Sequence, residues 1–199
     1  MAWQDEFVET FYEVVKQENR ALNRFNKNRV ADHVCGHSVE DLTEVHLQYL
    51  LFKGLLNNSY FDRWHVSISP SYGEMRNTRS RKQHADFSLA YTKYGKVDYS
   101  SQITIEMKKW QSKRAREDYK RLQEKSDNRG LLIYQFGKRS VSLEAKISKS
   151  PEFKRLMKKF KITTRRERDM KVNVVNKDGN HERHHFEAVL LSWKVDEDA

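Results

Sequence analysis

The chain has 199 residues and a formal charge of +10, with 37% hydrophobic and 33% charged residues, a length and balance suited to one domain, or one domain plus a helical extension, with a modest core. Ten Phe, nine Tyr and four Trp argue against disorder, and the single cysteine, Cys35, excludes an internal disulfide and suits a reducing compartment. No apolar run approaches the roughly 20 residues that span a bilayer and the start, Met1-Ala2-Trp3-Gln4, lacks a signal peptide's pattern, so a cytoplasmic protein with no membrane partner is expected.

In chain order, Trp3, Phe7, Phe11, Tyr12 and Val15, continued by Leu22 and Phe25, recur at helical spacing and predict an amphipathic helix over 2–28. Ser38 with Asp41 forms a capping-box-like start to a second helix, which runs through Leu42, Leu47, Leu51 and Leu55 to Asn57. Its apolar residues cover much of the circumference, so packing on two sides is expected. Trp64, Val66 and Ile68 alternate with polar residues and predict a strand. A basic connection follows, then a second strand over Ala85–Tyr91, a turn around Gly95, and a third strand over Ile103–Lys108. Ala115–Lys125 reads as a charged helix, and Leu131–Tyr134 as a strand buried on both faces.

Beyond this core of about 38–136, Val141–Ile147 alternates like a strand, and Ser150-Pro151 opens a basic amphipathic helix. A last hairpin pairs Val172–Val175 with Phe186–Trp193 across Asp178-Gly179. The chain is expected to be one α/β unit, with 1–37 an N-terminal helical extension and 137–199 a basic C-terminal extension.

Strand side chains alternate faces. Glu106 and Lys108 therefore leave one face of the third strand while Ile103, Ile105 and Met107 leave the other. In the strand before it, Asp86 shares a face with Ser88 and Ala90. If the two strands pair as a hairpin, Asp86 and Glu106 meet on one small-residue face, where two carboxylates repel unless a cation sits between them. Mg²⁺ suits such oxygen ligands, and a lysine beside it can orient a water and offset charge on a phosphorane. The tripeptide acid-x-Lys occurs five times here, at Glu106, Asp118, Glu144, Glu152 and Asp169, so context decides. Glu144-Ala145-Lys146 is the rival, but the strand before it carries no acid. The alternative for Glu106 and Lys108 is a surface salt bridge on an ordinary strand face.

The order helix, three strands, helix, strand, with Asp86 on the second strand and Glu106-Met107-Lys108 on the third, resembles the PD-(D/E)XK (restriction-endonuclease-like) nuclease superfamily. The likeness covers about 38–136; Ala85 stands where the motif usually has proline. It implies a Mg²⁺- or Mn²⁺-dependent nuclease, an endonuclease acting on DNA (RNA not excluded) and leaving a 5′-phosphate and a 3′-hydroxyl. Asp86 and Glu106 would ligate the metal with the Met107 carbonyl, and Lys108 would position the water. A helix glutamate would support them, Glu44 or, one turn earlier, Glu40. A homodimer would suit cutting two strands.

Between Lys146 and Lys171 lie eleven Lys or Arg and three acids, a clustered charge that points to a polyanion. Lys154, Arg155, Lys158 and Lys159 in that stretch are expected to follow the phosphate backbone, as are Arg76, Arg79, Arg81 and Lys82 before the second strand and Lys109, Lys113 and Arg114 after the third. Trp110 reads as a core-edge aromatic, and His181, His184 and His185 as exposed residues near the last turn. Cys35-Gly36-His37 is too isolated for a zinc site. The alternatives to a nuclease are a non-catalytic nucleic-acid-binding protein on the same fold and a basic domain that binds an acidic protein.

Overall fold

Helix α1 (Trp3–Lys27) buries the stripe that the sequence predicts: Phe7, Phe11 and Val15 are fully inaccessible, and Val8 and Tyr12 nearly so. The computed structural model describes residues 2–27, 38–68, 85–110, 128–138, 141–151, 153–154, 163–175 and 180–194. Within these, α1 is part of the main core and not an appendage. Phe11 meets the rings of Tyr134 and Phe186 edge-on at 5.7 and 5.3 Å, and the Tyr12 hydroxyl accepts from the Ala188 N–H at 2.9 Å.

Ser38 and Asp41 do form a capping box, but it closes a single 3₁₀ turn, Val39–Asp41. Thr43 is the N-cap of α2 (Glu44–Leu56), its hydroxyl accepting from the His46 N–H at 3.2 Å. Leu47, Leu51 and Leu55 are buried, whereas Val45, Tyr49 and Leu56 are exposed, so α2 packs on one side and not on two. At its crossing with α1, a Cβ on Gly54 would lie 2.5 Å from a Val14 methyl and 2.9 Å from a Thr10 methyl. Only glycine allows that approach.

The strands are β1 (Trp64–Ile68), β2 (Phe87–Lys93), β3 (Lys96–Lys109), β4 (Asn128–Gly137), β5 (Thr163–Val175) and β6 (His181–Lys194). They form one sheet in the order β1-β2-β3-β4-β6-β5. β3 and β4 are parallel and the other neighbours antiparallel, giving a mixed α/β architecture. One face, with Ile103, Ile105, Met107, Leu132, Tyr134 and Phe186, packs under α1 and α2. The other face joins Leu131, Ile133, Val189, Leu191 and Trp193 to Leu143, Ile147 and Phe153. β4 is buried on both sides, as its continuous apolar run predicts.

Two further expectations are corrected. Val141–Ile147 is not a strand: Leu143–Lys149 is helix α3, with Ser142 as N-cap accepting from the Ala145 N–H at 3.2 Å. Leu143 and Ile147, four apart, are its buried pair, and Ser150 caps its C-terminus before the chain re-enters a helical turn at Pro151. In the last hairpin, Val172–Val175 pairs with His181–His184 and not with Phe186–Trp193. The two strands are longer than expected, and Phe186–Trp193 instead lies between β5 and β4. The expected helix 115–125 lies outside the described residues. No helix among those residues is long and apolar enough to cross a membrane.

Candidate active site

The β2–β3 register pairs Phe87 with Ile105, Ser88 with Thr104 and Leu89 with Ile103. Asp86 and Glu106 each stand one residue beyond the Phe87–Ile105 rung, the last of the paired register. Asp86 precedes the first residue of β2, and its carboxylate turns toward β3, where Oδ2 accepts from the Met107 N–H at 2.6 Å.

Glu44, the first residue of α2, closes the same edge. Its Oε1 accepts from the Lys108 ammonium and its Oε2 from the Lys109 N–H at 3.4 Å. Met107 and Lys109 are two apart, so their N–H groups leave the same edge of β3, roughly 6.6 Å from each other. Beyond the end of β2, two carboxylates thus take the place of a strand partner. A residue's N–H and C=O leave the same edge of an antiparallel strand, which puts the Met107 carbonyl on the side of Asp86.

Glu106 is 2% exposed. Alternation sends it to the face opposite α1 and α2, along with Thr104, which is also buried. Arg129, in register with Thr104, is buried on that face too, and both Glu106 and Arg129 have polar partners. Sequence reading missed Arg129 because it opens β4 ahead of the apolar run that identified the strand.

It also missed Tyr134. This residue is 1% exposed, and its phenol is held well above its ordinary pKa, first by burial and then by the charges of Glu44 and Asp86. Tyr134 therefore lies within electrostatic reach of these two acids. The only signal was a hydroxyl at the end of the apolar run Leu131–Tyr134.

The four expected metal ligands do not all assemble. Glu44 holds Lys108, and no group of three or more His, Cys, Asp or Glu among the described residues is arranged to hold a metal ion. Mg²⁺, however, needs only one or two carboxylates with water and phosphate. The carboxylates of Asp86 and Glu106 and the Met107 carbonyl are hard oxygen donors, the chemical kind that this ion takes.

Glu40, the alternative helix glutamate, is engaged elsewhere. His184 Nδ1 lies 2.6 Å from Glu40 Oε2, and its Nε2 lies 3.2 Å from Glu182 Oε2. His184 is thus a largely buried strand residue, not an exposed turn residue. The rival Glu144 and Lys146 sit on α3, where Lys146 donates to Gln135 at 2.8 Å.

Among the expected phosphate-binding residues, Lys109 is exposed, with its ammonium 5.8 Å from the Phe136 ring centroid. Lys154 is exposed on the turn after α3. Arg76, Arg79, Arg81, Lys82, Lys113, Arg114, Arg155, Lys158 and Lys159 lie outside the described residues, as do Cys35 and His37. Trp110 packs against Phe153 at 5.8 Å, in keeping with a core-edge aromatic. Comparison with family models, curated proteins and solved structures finds no match for the chain.

Proposed function

We propose that the chain is a metal-dependent nuclease of the PD-(D/E)XK kind, hydrolysing phosphodiester bonds of DNA at the end of β3. The observation that carries this reading is that Asp86, bonded to the Met107 N–H, and Glu44, bonded to the Lys108 ammonium, converge on the strand end that holds Glu106. The sheet order, in which three antiparallel strands are followed by a fourth parallel to β3, supports the fold side of the proposal.

Asp86, Glu106 and the Met107 carbonyl would hold Mg²⁺ or Mn²⁺. That ion would supply a water of lowered pKa and neutralise charge on the phosphate. Glu44 presents the Lys108 amine at the strand end, where it orients a water and offsets charge as the phosphorane forms. Lys109 and Lys154 supply exposed positive charge for the backbone.

The test is incubation of circular and linear DNA with Mn²⁺. Cut circles identify an endonuclease; cutting of linear DNA alone identifies an exonuclease; no cutting of either rejects the proposal. The second reading, a nucleic-acid-binding protein without catalysis, is favoured by one observation. Asp86 and Lys108 both have protein partners, in the Met107 N–H and Glu44.

A further inference from the structure

β2 and β3 are joined by a two-residue turn, Tyr94-Gly95, in which both residues have positive φ, +52° and +73°. This is a type I′ hairpin turn, whose first position favours Asn, Asp or Gly. A bulky aromatic side chain is a poor choice there. Tyr94 gains no burial in return, being 93% exposed.

The last rung before the turn pairs Lys93 directly with Lys96, and like charges in that position oppose each other. The Lys93 ammonium lies 5.6 Å from the centre of the Tyr94 ring, covering one face and leaving the other to solvent. Tyr91 and Tyr99, at 39% and 63% exposure, add aromatic surface behind the tip. Asp98, on β3, accepts from the Ser100 hydroxyl and N–H at 2.5 and 3.0 Å and feels the charge of Lys93 only as a smaller influence beside them. Two neighbouring choices thus work against the hairpin, and both become favourable beside a flat base with flanking phosphates.

We infer that this tip is a contact for single-stranded nucleic acid, with Tyr94 stacking on a base and Lys93 and Lys96 gripping the phosphates to either side. Aromatic platforms with interleaved cations are how proteins hold unpaired strands. The inference deepens the proposed function by naming a single-stranded part of the substrate. It rests on nucleic acid being the ligand and not on the chemistry. β3 carries both sites, and the twelve-residue step from Lys96 to Lys108 covers roughly 40 Å of extended strand. The tip therefore touches the substrate well away from the bond that is cut.

The test is binding of fluorescent oligothymidylate to the full chain in EDTA, which prevents cleavage. Tyr94→Asn should hold or raise the melting temperature, because Asn-Gly is the preferred turn, yet weaken binding about tenfold. Lys93→Thr with Lys96→Thr should lower the salt dependence by about two phosphate contacts. Blunt duplex should lose much less affinity than the single strand in Tyr94→Asn. Unchanged oligothymidylate binding in Tyr94→Asn, an equal loss on duplex, or wild-type binding to phosphatidylserine vesicles in place of the oligonucleotide would each overturn the inference. If Tyr94→Asn weakens binding while the wild type cuts nothing with Mn²⁺, the tip stands and the nuclease proposal falls. If Asp86→Ala abolishes cutting while Tyr94→Asn binds normally, the reverse holds.

Discussion

The Met107 N–H donates a 2.6 Å hydrogen bond to Asp86 Oδ2, tying the acid that precedes β2 to the strand that carries Glu106 and Lys108. This bond gives Asp86 a structural role as well as a proposed chemical one, and substitutions separate the two. Asp86→Asn keeps an acceptor oxygen for Met107 and should stay within about 1 kcal/mol of wild-type stability, whereas Asp86→Ala should lose about 1–2 kcal/mol. Both should abolish metal-dependent cutting. Urea denaturation beside a cleavage assay checks the pair.

Lys108 and Glu44 are partly buried, at 20% and 29% side-chain exposure, so their pairing is worth more than that of a fully solvated ion pair. A double-mutant cycle with Lys108→Ala and Glu44→Ala should return a coupling of about 1 kcal/mol. Turnover should fall about 100-fold or more in Lys108→Ala. A coupling near zero would mean that Glu44 does not hold the amine in solution.

Tyr134 links the site to alkaline stability. Burial, reinforced by Glu44 and Asp86, raises its folded-state pKa above the unfolded value of 10.0. The native state therefore keeps a proton that the unfolded chain gives up, and the stabilisation is complete below pH 10 and lost as pH climbs beyond it. Denaturation midpoints should fall steeply above about pH 10, and Tyr134→Phe should flatten that slope. Tyr60 is raised in the same direction and contributes to what remains.

Gly54 tests the seat of α2 on α1. A helix-interior glycine replaced by alanine ordinarily gains about 1 kcal/mol. Here the added methyl would meet Val14 at 2.5 Å, so Gly54→Ala should instead destabilise by about 1–3 kcal/mol. A stabilised variant would show that the helices are not packed this closely.

Elements with one apolar stripe or an unbroken apolar run were legible from the letters. Phe7, Phe11 and Val15 marked α1, and Leu131–Tyr134 marked a strand covered on both faces. Val141–Ile147 misled because Leu143 and Ile147 satisfy period two and the four-residue helical step alike. β5 was largely invisible because it lies at the sheet edge, where a run such as Thr163-Thr164-Arg165-Arg166 is tolerated. Asp86, Glu106 and Lys108 could be selected because alternation assigns faces before any coordinates exist. Arg129, Tyr134 and the His184–Glu40 contact could not, since each depends on a partner far away in sequence.

The most direct measurement is a paired assay of the wild type and Asp86→Ala on supercoiled circular DNA: cutting with Mn²⁺, and binding in Ca²⁺. A nuclease centred on Asp86 and Glu106 should nick or linearise the circle as wild type, and the variant should bind nearly as well while cutting nothing. A wild type that binds the circle and leaves it intact with both Mg²⁺ and Mn²⁺, or a variant that cuts at the wild-type rate, would contradict it.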